Sequence, residues 1–269
     1  MFSPEPAGFV LVVLLVGLYV RAVRILGRRG YRVPRGQQVA WYVGVGLIAL
    51  GLLGPLDALA DSLLTAHMAQ HLVIADLAAP FLLAGMRTPV LFFILPRPLL
   101  VKLARRRRLR TAFRFVRRPL VALPIFVVIL YTWHLAFAFQ AALEHGWVHA
   151  LQHESFVIGG VLVWWPAIEP TRRPMPGELW KAGYILGART LSMFLAMAFI
   201  VSRHPAYSWY ADRGRTHGLT PLSDQQIAGG LMLSVDIIVM MAALTFFFWR
   251  AAAEADRRER AERAAPVAG

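Results

Sequence analysis

No cysteine occurs anywhere in the 269 residues. That excludes a disulfide framework, a zinc ribbon, a CxxC redox pair and any thiolate ligand, so metal chemistry here must rest on histidine, methionine and carboxylates. Charge is scarce as well: 16% of the residues are Asp, Glu, Lys or Arg, where a soluble domain carries about 25%. Acidic residues are the rarer sign, 15 against 29 basic ones. Catalytic signatures are missing too. There is no nucleophile elbow, phosphate-binding loop, HExxH or dinucleotide fingerprint in a suitable context, so no enzymatic role is expected. Nor is there an internal repeat or a sign of a second domain.

What the chain has in quantity is apolar sequence. Hydrophobic residues make up 58%, and several charge-free runs reach the roughly twenty residues needed to cross a ~30 Å bilayer core. The fold class expected is all-α: a polytopic membrane helix bundle with seven transmembrane helices, at about 8–26, 39–56, 62–85, 119–142, 147–168, 182–202 and 226–249. Residues 1–250 form a single transmembrane domain. Residues 251–269, rich in Ala, Arg and Glu, read as a charged tail that frays into disorder. The N-terminal stretch Met1-Phe2-Ser3-Pro4-Glu5-Pro6 has neither a basic n-region nor a small-residue cleavage site, so the first span is expected to be retained.

A net charge of +14 would suggest nucleic acid in a soluble chain, but here the arginines lie between apolar segments and follow membrane topology. Six basic residues follow span one, eleven lie from Arg87 to Arg118, three follow span five and five follow span seven. The opposite side has only Arg203, Arg213 and Arg215. The N-terminus is therefore expected outside and the C-terminus in the cytoplasm, with membrane lipid as a partner and no nucleic acid. Pro89 to Leu100 is apolar, but a run this short cannot span. It reads as an interfacial helix leading into the solvated or headgroup-facing run Arg105 to Arg108.

With that topology all eight histidines fall on the outer side. His67 and His71, and again His149 and His153, are i,i+4 pairs, each presenting two imidazoles on one helical face. His134 lies near the outer end of span four. These five sit roughly 3–14 Å below the outer helix ends, a single layer drawn from three helices. One membrane histidine alone is most simply a packing residue. Two pairs at matched depth point instead to a metal or haem site, because ionisable residues inside a bilayer are costly and face functional interiors.

Weaker candidates are Met68, Met193, Met197 and Met232, since thioether and imidazole together suit copper, although methionine also fills gaps in apolar cores. Glu154 adjoins His153 and is a candidate to orient it. Asp57 and Asp61 lie at the outer boundary, to recruit cations or cap helix ends. Asp76 and Asp236 are deeper and need a partner, water or a proton. Trp133, Trp147, Trp209, Tyr207 and Tyr210 read as interfacial anchors, as does Trp164-Trp165-Pro166 on the other side. Gly183 and Gly187 form a GxxxG suited to close helix packing.

The ordered set of motifs resembles the CtaG family of cytochrome c oxidase assembly factors, of the multi-span, cysteine-free kind. The matching stretches are His67-Met-Ala-Gln-His71 with Ala79-Pro80, Trp133-His134-Leu135, His149-Ala-Leu-Gln-His153 with Trp164-Trp165-Pro166, and Asp224-Gln225-Gln226-Ile-Ala-Gly229. One departure stands at the start of the last span, where Met232-Leu-Ser-Val-Asp236 replaces a Trp followed by Pro or Gly. The resemblance implies a multi-pass plasma-membrane protein that helps build haem–copper terminal oxidases by supplying copper, with oxidase subunits as partners. The residues carried over as metal ligands are His67, His71, His134, His149 and His153. The alternatives are a haem-binding membrane electron carrier, a copper permease and a scaffold without metal.

Overall fold

The computed structural model describes residues 6–171, 177–211, 213 and 217–264. Arg172, Arg173 and Arg215, which entered the charge asymmetry, lie outside the described residues, as do residues 1–5 and 265–269.

Among the described residues every regular element is helical. Five helices are long and apolar enough to cross a membrane: α1 (Pro6–Arg28), α2 (Arg35–Leu53) continuing into the short α3 (Pro55–Ala60), the α4–α5 unit, α12 (Glu178–Val201) and α13 (Pro221–Ala264). The α4–α5 unit is one rod in three parts, α4 (Leu64–His71), a π-helical turn over Leu72–Leu77, and α5 (Ala78–Gly85). The expected fourth span is not one helix. It breaks into α9 (Pro119–His134) and α10 (Ala136–Glu144), bent by 71°. Neither proline nor glycine marks the bend. Leu135 simply turns extended, at φ −67° and ψ 136°, and the His134 carbonyl accepts the Tyr207 hydroxyl at 2.9 Å. The fifth, α11 (Gly146–Ile168), matches its expected bounds. Its first half carries His149, Gln152, His153 and Glu154, and it is not among the five helices long and apolar enough to cross a membrane.

Three further expectations are corrected. The Pro89–Leu100 run is not a single helix: prolines divide it into the one-turn α6 (Leu91–Ile94) and the start of α7 (Arg97–Arg105), and α8 (Arg107–Val116) follows. Residues 251–264 do not fray but continue α13, since Ala, Glu and Arg are strong helix formers and Arg258–Glu254 and Arg263–Glu259 form i,i+4 pairs. Gly183 and Gly187 face open space rather than a neighbouring helix.

The bundle is tied at both ends. At the arginine-rich end Lys181 pairs with Glu169 at 2.8 Å and Glu178 at 3.1 Å, and Arg250 reaches Glu178 at 3.2 Å, joining α11, α12 and α13. Trp164 and Trp165 are buried there rather than interfacial. Trp165 lies under the Arg117 guanidinium at 4.9 Å. In the middle, α11 lies directly on the π-helical turn because residue 160 is glycine. A Cβ at Gly160 would overlap the Ala75 carbonyl oxygen. This close approach brings α4 and α11 side by side at the histidine-bearing end.

Candidate metal centre

Helix α4 starts at the histidine-bearing end with Leu64 buried, and its first N–H groups have no intrahelical acceptor. Asp224, in the first turn of α13, supplies it. One carboxylate oxygen accepts the Leu64 N–H at 2.6 Å, and the other accepts the Thr65 N–H at 3.0 Å and the Thr65 hydroxyl at 2.6 Å. The anion also complements the positive end of the helix dipole. Three residues into this capped helix comes His67, fully buried, and one turn deeper His71, 6% exposed. Helix α11 runs alongside, and His149 and His153 repeat the spacing from its second turn.

The two helices present their pairs level by level. The His67 and His149 ring centroids are 5.4 Å apart, and those of His71 and His153 are 5.2 Å apart. Within each helix the pairs stand at 4.4 and 4.2 Å. One nitrogen from each of the four rings lies within 4.8 Å of all the others. Four imidazole nitrogens around a tetrahedral ion with ~2.0 Å bonds sit about 3.3 Å apart, so small ring rotations close the site. Rings crowded this tightly leave no slot for a porphyrin plane, which a haem with axial histidines would need.

The donor chemistry fits a cation. His67 Nε2, both nitrogens of His71 and His153 Nε2 are buried and make no hydrogen bond. Buried polar nitrogens in a cluster are costly unless something accepts their lone pairs. The tautomer of His67 follows from its neighbour. The Tyr210 hydroxyl donates its only proton to the Ala60 carbonyl at 2.8 Å, and its oxygen lies 3.3 Å from His67 Nδ1. Nδ1–H must then be the donor to Tyr210, leaving the lone pair on Nε2 for a ligand. Burial holds the Tyr207 and Tyr210 hydroxyls above the usual phenol range, so both remain neutral donors.

Not every expected residue joins the group. His134 ends α9 and lies outside the four-nitrogen cluster. Its Nδ1 donates to the Leu130 carbonyl at 2.7 Å, and its ring is walled by Phe156 at 5.9 Å and Phe199 at 5.8 Å. Its Nε2 keeps a buried lone pair. Met68 and Met232 pack in the apolar cluster beside α4. Met197 is 41% exposed on the outside of α12. Glu154 is exposed. His145, His204 and His217 stay at the periphery, where His217 Nε2 meets the Ser62 hydroxyl at 3.3 Å.

Several supporting residues went unseen in the sequence. Tyr207 and Tyr210, expected as interfacial anchors, are 2% exposed and fold in over the site. Phe139 stacks on Tyr207 at 4.0 Å and tilts against His67 at 4.9 Å. Gln70 donates to the Gly51 carbonyl at 3.0 Å and to the Asp57 carboxylate at 2.9 Å, which gives Asp57 a local partner. Gln70 and Gln152 are both fully buried. Their signal was available, because each occupies the same place in a repeated His-x-x-Gln-His.

The family profile described as "Cytochrome c oxidase caa3 assembly factor (Caa3_CtaG)" matches residues 17–254. Two mycobacterial proteins are similar: "Uncharacterized protein Mb0105" of Mycobacterium bovis (strain ATCC BAA-935 / AF2122/97) and "Uncharacterized protein MT0111" of Mycobacterium tuberculosis (strain CDC 1551 / Oshkosh). Each is 24% identical over 253 residues, covering 87% of this chain and 37% of the relative. The chain thus spans just over a third of the length of these curated relatives. No solved structure matches.

Proposed function

The chain belongs to the cytochrome c oxidase caa3 assembly factors, and we propose that it holds copper between α4 and α11 and passes it to a haem–copper oxidase in the plasma membrane. The observation that carries this reading is the convergence of His67, His71, His149 and His153 within 4.8 Å in a member of that family. Neutral imidazole suits copper among the first-row metals, and the lack of cysteine suits a site facing an oxidising compartment. His134 Nε2 is the reserve donor, reached by a turn of the ring or a small shift of α9. The chemistry is ligand exchange without a bond-making turnover, and the receiving partners are oxidase subunits. The positive-inside asymmetry favours seven spans, with the histidine end outside and the arginine-rich end in the cytoplasm.

Two linked measurements test this. Deleting the protein under copper-limited growth should lower the activity and copper content of the haem–copper oxidase while leaving the rest of the respiratory chain largely intact. Normal oxidase copper in the deletion strain would remove the assembly role. In purified protein, His71→Ala and His153→Ala should each weaken copper binding strongly. The double variant should cost less than the sum, because the first loss already breaks the shared site. Full copper occupancy in the double variant would place the metal elsewhere.

A further inference from the structure

Arg189 lies in the middle of α12 and is wholly buried. A single nitrogen, Nη1, meets both Asp76 at 2.7 Å and Asp236 at 3.0 Å. Nε and Nη2 are buried without partners, and the guanidinium is flanked by the rings of Phe126 at 5.4 Å and Trp164 at 5.9 Å. A purely structural arginine would use its planar fork in bidentate fashion. This one leaves most of the fork idle to hold two acids at one point.

Charge makes the arrangement unusual. Two carboxylates on one guanidinium leave one negative charge uncompensated within the apolar part of the bundle. Among the described residues, the guanidinium is flanked by the uncharged rings of Phe126 on α9 and Trp164 on α11, and α12 adds the buried phenol of Tyr184. Arg87, Glu169, Lys181 and Arg250 line the cavity towards the arginine-rich end, where Glu178 pairs with Lys181. His71 is five residues before Asp76, about 7–8 Å along the rod. An unbalanced charge at that depth costs several kcal/mol, and a single proton removes it.

The third observation is a route. A cavity of about 550 Å³ has Asp76 at its inner end and Arg87, Lys181 and Arg250 among its lining at the arginine-rich end, with Phe81 and Trp164 in its walls. Asp76 retains 14% of its side-chain exposure, whereas Arg189 and Asp236 retain 1% and 3%. Asp76 is also carried on the π-helical turn, a local irregularity frequent at functional positions.

We propose that Asp76, Arg189 and Asp236 form a proton-exchange site, reached from the arginine-rich end through this cavity and separate from the histidine cluster. A hydrated proton in the cavity bonds to one carboxylate oxygen of the Asp76–Asp236 pair, leaving water, and the other carboxylate remains the counter-ion of Arg189. Release is the reverse, with the proton returning to cavity water and both carboxylates again on Arg189. Nothing is oxidised or reduced, and the site stands whether or not the histidines bind copper.

Infrared spectroscopy of the full chain in lipid nanodiscs tests it, with aspartate labelled by carbon-13 at the side-chain carboxyl. A protonated-carboxyl stretch at neutral pH should move with the label, shift in deuterium oxide, and vanish in both Asp76→Asn and Asp236→Asn. The absence of any label-sensitive protonated band in the parent protein, which needs no substitution, overturns the proposal. So does a band that survives either variant. The route has its own test, since Ala242→Cys creates the sole thiol in the chain on the cavity wall. Attaching a bulky maleimide there should slow deuterium exchange of the carboxyl band severalfold, and unchanged exchange would overturn access through the cavity.

Discussion

Asp224 reaches back 160 residues to accept the backbone N–H of Leu64 at 2.6 Å, so the first turn of one long helix caps the helix that carries half of the candidate metal site. Replacing Asp224 by Ala leaves the Leu64 and Thr65 N–H groups without acceptors. A lost cap costs about 0.5–2 kcal/mol. We expect a lower unfolding midpoint together with weaker copper retention and unchanged total helix content. Asp224→Asn, which keeps one carbonyl acceptor, should fall between the parent and the alanine variant. Copper affinity unaltered in Asp224→Ala would show that the cap does not position His67 and His71.

Tyr210→Phe removes one oxygen and nothing else. It frees the Ala60 carbonyl and takes away the acceptor for His67 Nδ1–H, so the ring loses what fixes its tautomer and orientation. Groups that orient metal-bound histidines are worth about 10–100-fold in affinity. Copper titration of the variant should show a loss of that order. Parent-like affinity would mean that Tyr210 is only packing.

Gly160→Ala tests whether helix approach makes the site. The added methyl meets the Ala75 carbonyl oxygen, and one of the two backbones must move. Overpacking of this kind costs about 1–3 kcal/mol, and here it separates α11 from the π-helical turn just below the histidines. Both thermal stability and copper stoichiometry should fall. Gly183→Ala, where the side chain enters open space, is the matched control and should change neither.

Topology is checked with reporters. A fusion after Gly269 should be active only in the cytoplasm and an insertion near Arg213 only outside, as the distribution of arginines requires. Two reporters on the same side would remove the seven-span arrangement and with it the outward-facing site.

Helix type, the approximate spans and both histidine pairs were legible because they are local properties. Hydropathy over twenty residues sets a span, and the 3.6-residue period puts His67 with His71 and His149 with His153 whatever surrounds them. Matched depth put the two pairs in one layer, but only the packing of α4 against α11 turned them to face each other. Tertiary structure alone decided which polar atoms meet. Leu135 is an ordinary leucine, yet the helix breaks there and leaves His134 outside the cluster. Tyr207 and Tyr210 look like boundary aromatics but are folded in, and Tyr210 selects the lone pair of His67. Asp76 and Asp236 stand 160 residues apart with Arg189 between them in space, and no periodicity announces that triad. Local sequence fixes how a helix is written on its own axis, whereas contacts between helices depend on rotation and closest approach. In this bundle those were set by a glycine at 160, a π-helical turn at 72–77 and a cap supplied from the far end of the chain.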